Sequence, residues 1–171
     1  MLKLLFISFL TFVLSQGTLF ANNFNIDKIS KTSKKEVIVY LHRIGCSYCN
    51  SMSEFTLDED DIKEYLAENF NFIDINISYD HKIRYKGKVT GGKCFASDIG
   101  YAFYPATLFL DKQGNVKYAA LGYKDEYEFL LILKYVKEGF YKTLTLDEYK
   151  KQVGYVKNTD DEITDPRKNA N

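Results

Sequence analysis

Two cysteines with two residues between them, Cys46 and Cys49 in the run Tyr40-Leu41-His42-Arg43-Ile44-Gly45-Cys46-Ser47-Tyr48-Cys49, are the residues best suited to chemistry. Such a pair can be a redox dithiol, half of a zinc site or a structural staple. A staple across so short a loop removes little chain entropy compared with a long one. Zinc needs two further ligands, and only His42, His81 and Cys94 remain, with no second Cys pair or His pair at ligand spacing. An odd total of three cysteines leaves one thiol unpaired within the chain, which shifts weight from scaffold to reactivity. The redox dithiol is therefore expected, with no metal.

A thiol must ionise before it attacks a disulfide. A helix N-terminus aims unpaired N–H groups and the positive end of its dipole at the sulfur, lowering the pKa from about 8.5 to roughly 3.5–7.5. Each unit of that shift is worth about 1.4 kcal/mol in favour of the thiolate. Cys46 is expected at such a position, with Ser47 and Tyr48 as the intervening dipeptide and Cys49 one turn deeper. Cys46 is then the attacking thiol and Cys49 the resolving one. A second feature is Tyr104-Pro105 ahead of Ala106 to Leu110. Proline tolerates the first residue of a strand, and X-Pro is the bond that readily becomes cis. Alone it reads as a trans proline at a strand start; beside the Cys pair, a cis bond is expected, exposing the Tyr104 backbone to a bound peptide that adds as a strand.

The elements that must position these residues follow from local pattern. Val37 to Leu41 is an apolar, partly β-branched run and reads as a buried strand ahead of the cysteines. Cys46 to Phe55 reads as helix. Carboxylates crowd Asp58 to Asp61, where a second helix begins with Ile62, Tyr65, Leu66 and Phe70 at helical spacing. Phe72 to Ile77 alternates as a second strand. Residues 78–93 are a Lys/Arg/Gly-rich insertion with a small hairpin expected at Ile83–Tyr85 and Lys88–Thr90. Phe95 to Phe103 is expected as a short helix, Ala106–Leu110 and Val116–Leu121 as an antiparallel pair around the turn Asp111–Asn115, and Asp125 to Glu138 as a helix ended by Gly139. Tyr141 to Val153 reads as a further docked segment. The order predicts an α/β fold with a mixed central sheet flanked by helices.

Length and composition set the frame. The 171 residues suffice for one well-packed domain, and 46% apolar with 27% charged residues is ordinary for a globular chain. Lys plus Arg equals Asp plus Glu at 23 each, so no basic surplus suggests nucleic acid. Lys3, the apolar run Leu4 to Leu14 and Ala21 describe a secretory signal peptide, shorter than the roughly 20 residues of a spanning helix. Residues 1–21 are expected to be cleaved near Ala21, leaving a lead-in over 22–35, a domain over 36–156 and a disordered tail over 157–171. Export places the dithiol where disulfides persist, a bacterial periplasm by the style of the signal.

The strand, Cys46-Ser47-Tyr48-Cys49 on a helix, Ile99-Gly100 ahead of Tyr104-Pro105, and Leu108-Phe109-Leu110-Asp111-Lys112-Gln113-Gly114 together resemble the thioredoxin superfamily over residues 36–138. Gly122-Tyr123, Glu128-Phe129 and the run Lys134 to Lys142 are similar to the C-terminal helix of exported SoxW-type thioredoxins. The resemblance implies a thioredoxin fold, thiol–disulfide reductase activity in the periplasm on disulfide-bearing proteins, and a membrane protein that resupplies electrons. It implies no metal or organic cofactor, and a monomer is expected. The sequence departs from cytosolic thioredoxins at Tyr40, where they carry a buried carboxylate, and at His42 and Gly45, where they carry tryptophans. Asp74 on the neighbouring strand is the candidate to take a proton from Cys49, and His42 the candidate to tune the Cys46 thiolate. Cys94 has three open roles: buried free thiol, exposed thiol pairing with another chain, or third redox member. The rival functions are a disulfide oxidant or isomerase, and a redox-inert binding module.

Overall fold

A computed structural model describes residues 23–155. The expected leader, residues 1–21, and tail, residues 157–171, lie outside the described residues. Strand β2 (Glu36–His42) is the axis of the molecule, and its five central residues are buried. It pairs in parallel with β3 (Phe70–Asn76) and antiparallel with β6 (Ala106–Leu110), which pairs antiparallel with β7 (Val116–Leu121). The four-stranded order is β3-β2-β6-β7, the mixed sheet anticipated from the order of elements.

The pleat sorts side chains onto two faces. Val37, Val39 and Leu41 join Ile73, Ile75, Ala106, Leu108 and Leu110 in one core. Ile38 and Tyr40 join Phe70 and Phe109 in the other. Because β2 and β6 have apolar residues on both faces, both faces are covered. The first face receives α1 (Ile26–Thr32) and α4 (Gly92–Ile99) through Ile26, Phe95 and Ala96. The second receives α2 (Ser47–Met52), α3 (Asp60–Asn69), α5 (Glu126–Lys137) and α6 (Leu146–Gln152), through Met52, Ile62, Leu66, Phe129, Ile132 and Tyr149. Asp60 and Asp61 sit in the first turn of α3, where they complement the helix dipole. Asp125 caps α5 by accepting from the Glu128 N–H at 2.7 Å.

Three expectations shift. The helix begun at Ser47 is α only to Met52; Ser53–Leu57 form a π-helical turn, in which buried Thr56 donates to the Lys124 carbonyl at 2.6 Å. The helix expected over 95–103 starts at Gly92 and ends at Ile99, because Gly100 takes φ 88° and closes it. Gly92 is required where it stands: a Cβ there would lie 2.9 Å from the Ile77 Cα. The segment read as a lead-in is instead woven into the fold. Strand β1 (Asn23–Asn25) pairs in parallel with β4 (Lys82–Tyr85), which pairs with β5 (Lys88–Thr90) as the expected hairpin. The insertion hairpin and the N-terminal strand therefore form a second, three-stranded sheet, β1-β4-β5.

Candidate active site around Cys46 and Cys49

β2 delivers the chain to the end of the sheet, where Gly45 takes φ 72° and turns it into α2. That loop is tied down by its neighbour: the Ile44 N–H donates to Ser78 Oγ at 3.0 Å, and the Ile77 N–H to the His42 carbonyl at 2.9 Å. Cys46 is the N-cap of α2, and its sulfur accepts from the Cys49 N–H at 3.1 Å. The two cysteines form a disulfide, with Cα atoms 5.2 Å apart. Cys46 is 8% exposed and Cys49 1% exposed, so a partner can reach the first sulfur and hardly the second. The same N–H that holds the Cys46 sulfur in the disulfide would stabilise its thiolate after reduction, since hydrogen bonds to the charged form favour it.

The Tyr104–Pro105 peptide bond is cis, and the Tyr104 carbonyl oxygen lies 3.8 Å from the Cys46 sulfur. The Pro105 carbonyl is taken by the Gly122 N–H at 2.8 Å, closing β6 onto β7. Burial pushes the Tyr104 phenol up, with Arg43 acting against it. Ser47 and Tyr48 are exposed, Tyr48 by 60%.

Beneath Cys49 stands Tyr40, fully buried, whose hydroxyl donates to the Cys49 carbonyl at 3.4 Å. Burial raises its phenol well above the ordinary range, opposed by Ser53 and reinforced by Asp74. The Tyr40 ring stacks on His42 at 5.2 Å and 18°, and His42 Nε2 lies 2.7 Å from Asp74 Oδ1. The structure thus brings Asp74 to His42; among the described residues no hydrogen bond joins Asp74 to Cys49. The Asp74 side chain is 56% exposed, placing it at the sheet's wet edge. Sequence reasoning noted Tyr40 only as a missing carboxylate; its position on β2, on the same face as His42, was the signal that it faces the helix of the cysteines. Cys94 is free and exposed on α4, which removes the buried-thiol alternative. Among the described residues no three of His, Cys, Asp and Glu gather as metal ligands.

The profile of a family described as a thioredoxin-like domain matches residues 24–137. The chain belongs to this family. Among solved structures it is similar to a thioredoxin-fold protein from Helicobacter pylori, with 26% identity and a TM-score of 0.58, covering 71% of this chain and 81% of that one. It is also similar to a thioredoxin from Thermus thermophilus, with 19% identity and a TM-score of 0.51 over 67% of this chain and 85% of that one. A structure described as DsbH oxidoreductase shares 11% identity at a TM-score of 0.52, over 67% and 80% of the respective chains. No curated protein matches. The thioredoxin-like family and the Cys46–Cys49 pair support thiol–disulfide oxidoreductase chemistry at the general level. The family match starts at residue 24, in agreement with the structural role of β1 and α1.

Proposed function

We propose that this thioredoxin-like protein is an exported reductase of protein disulfides, working through the Cys46/Cys49 dithiol. The observation that carries the reading is the asymmetry of the pair: Cys46 is reachable and capped by an N–H beside the cis-Pro105 turn, while Cys49 is enclosed above Tyr40. In the forward reaction the Cys46 thiolate attacks one sulfur of a partner's disulfide. A Cys46–partner S–S bond forms, the partner's S–S bond breaks, and the released partner thiolate takes up a proton. Cys49 then loses its proton and attacks the Cys46 sulfur. The intramolecular disulfide forms and the second partner thiolate leaves, to be protonated. Two electrons pass to the partner, and the chain ends in the disulfide state seen here. A dithiol donor reverses the steps to reload it.

The Tyr104 backbone beside the sulfur is suited to pair with an extended partner segment. Export to the periplasm rests on Lys3, the run Leu4 to Leu14 and Ala21, and it would make the electron donor a membrane protein facing that compartment. The likeness of Lys134 to Lys142 to SoxW-type thioredoxins supports a reductase of that kind. The test is the equilibrium reduction potential of Cys46–Cys49, read by mass tagging of free thiols across a dithiol redox buffer with Cys94→Ser as control. A value near roughly −270 mV is expected; a value near roughly −120 mV would make the protein a disulfide donor instead, and a pair that never opens would make it an inert binding module.

A further inference from the structure

The four-stranded sheet ends on an unguarded strand. β3 pairs with β2, and among the described residues no strand pairs with its other edge. The Ile77 N–H turns toward β2, where it donates to the His42 carbonyl at 2.9 Å. By alternation, Phe70, Phe72, Asp74 and Asn76 turn their N–H and C=O groups outward. The Phe70 N–H closes α3 onto the Leu66 carbonyl, and the Asn76 carbonyl accepts from the Tyr79 N–H. That leaves the Phe70 carbonyl, both backbone groups of Phe72 and of Asp74, and the Asn76 N–H without a protein partner among the described residues.

Exposed edges are ordinarily blunted by lysine, proline, a bulge or shortness. β3 runs for seven residues, Phe70-Asn71-Phe72-Ile73-Asp74-Ile75-Asn76, in unbroken register with β2 and without Lys, Arg or Pro. Its one charge, Asp74, is engaged by His42 at 2.7 Å. Beside the edge lies an open groove of about 290 Å³, lined by Leu57, Lys63, Leu66, Ala67, Phe70 and Phe72. α3 folds back along β3 to make it, so α3 ends at Phe70 and begins toward Asn76.

The pattern is self-complementary. When two β3 strands run antiparallel about a two-fold at Ile73, Phe72 faces Asp74 of the second copy and Phe70 faces its Asn76. Residues facing each other with outward groups exchange N–H···O=C bonds. Every free group named above then finds a partner. The two groups already engaged, the Phe70 N–H and the Asn76 carbonyl, meet only each other. Moving the two-fold to Phe72 leaves the Asp74 carbonyl and the Asn76 N–H unpaired, and moving it to Asp74 sets two carboxylates opposite one another. The two-fold at Ile73 also lays the exposed acidic start of one α3, Asp58 to Asp61, toward the end of the other. There, beside Glu68, Lys35 donates to the Ala67 carbonyl and Lys137 to the Asn69 carbonyl. With 23 acidic and 23 basic residues, no net charge opposes association.

We propose that, in place of the expected monomer, two copies of this chain join through β3, antiparallel and centred on Ile73, into one continuous sheet with their apolar grooves brought together. The redox pairs then lie at opposite ends of the joined sheet, each open to its own partners. The test is sedimentation equilibrium of the full chain from low micromolar to submillimolar concentration, with amide hydrogen exchange at both ends of that range. The mass is expected to rise to twice that of one chain, and the Phe72, Asp74 and Asn76 amides to gain protection with it. Phe72→Asp sets a carboxylate opposite Asp74 of the other copy, twice over. It is expected to weaken the dimer at least ten-fold more than Phe72→Lys, which loses the same ring but faces Asp74 with a cation. The exchange measurement uses the wild-type chain, so it decides even where a substitution at Phe72 does not fold. A chain that stays monomeric throughout, a dimer that leaves those amides unprotected, or equal weakening by the two substitutions overturns the proposal.

Discussion

The two ends of the four-stranded sheet carry opposite surface chemistry on the same strands. Beyond His42, the chain neighbours of the redox pair and of the cis bond are exposed and apolar: Ile44 at 59%, Tyr48 at 60% and Phe103 at 73%. Beyond Glu36 the surface is lysine, with the half-buried Glu36 carboxylate paired to Lys117. β2 and β6 serve both ends because they run antiparallel. Leu41 is in register with Ala106, next to Pro105, while Val37 is in register with Leu110, next to the turn that carries Lys112. The difference teaches what each end is built to do. In the reductase proposed above, a sulfur that meets a partner's sulfur would gain from apolar contacts that exclude water and then release. A cleft lined by lysines offers fixed charge and no such apolar contacts. One rigid strand pair keeps the two about 20 Å apart and separately alterable.

Removing a sulfur should separate the ends most sharply. Cys46→Ser is expected to reduce disulfide-reductase turnover to background while leaving the fold intact; Cys49→Ser is expected to accumulate the Cys46 mixed disulfide, visible by mass spectrometry. Retained turnover in Cys46→Ser would remove it as the nucleophile. Phe109→Ala strikes the frame that both ends share. Phe109 is fully buried on β6 and packs its ring 5.9 Å from Phe70, so a loss of about 3–5 kcal/mol is expected in denaturant unfolding. Gly92→Ala loads the cysteine end alone. Its Cβ would press on the Ile77 backbone, immediately before Ser78, which holds the Ile44 N–H. A loss of about 1–3 kcal/mol is expected, with amide shifts around residues 43–46 and none around Lys142.

Tyr40→Phe is a finer probe. The 3.4 Å bond to the Cys49 carbonyl is long, so the stability loss should sit near the low end of about 0.5–1.5 kcal/mol. If Tyr40 does more than pack, the reduction potential or the pH profile of the resolving step will move as well. The last effect is invisible at neutral pH. Burial raises the phenols of Tyr40 and Tyr118, the latter to about 12, assisted by Tyr135, Glu128 and Asp147. Below pH 10 these tyrosines are neutral folded and unfolded alike. Between about 10 and 12 the unfolded chain releases protons that the folded chain keeps, so stability must fall across that window. Phenolate absorbance rising together with loss of structure checks it; independent titration well below pH 12 would contradict it.

Much of this architecture was legible because strong periodic segments coincide with the central elements. Val37 to Leu41, Ala106 to Leu110 and the capped, glycine-ended stretch Asp125 to Gly139 each satisfy pattern and boundary rules together. The three-residue strand β1 is too short to show a period, and its partner β4 lies far along the chain, so nothing local announced it. The start of α4 was hidden because Gly92 reads as loop; only the approach of the Ile77 backbone explains a glycine inside a helix. At the site, spacing alone found Cys46 and Cys49. The pairing of Asp74 with His42 depends on which edge residues of neighbouring strands share a face, and that register is a tertiary fact. The lysine cleft draws on α1, β2, the β6–β7 turn, β7 and the segment after α5, five regions with no common motif.

The pairing of β1 with β4 also has a consequence in time. Asn23 opens the first strand of the described residues, yet its register partner across the sheet is Lys82. The opening strand must stay unpaired until some sixty further residues have emerged, and the closing of so long a loop delays its docking. A chain whose first piece can be finished only after its middle has appeared remains threadable for longer. Under the export proposed above, that delay would be useful: the last stitch at the N-terminal edge would be tied only after the cysteines have passed.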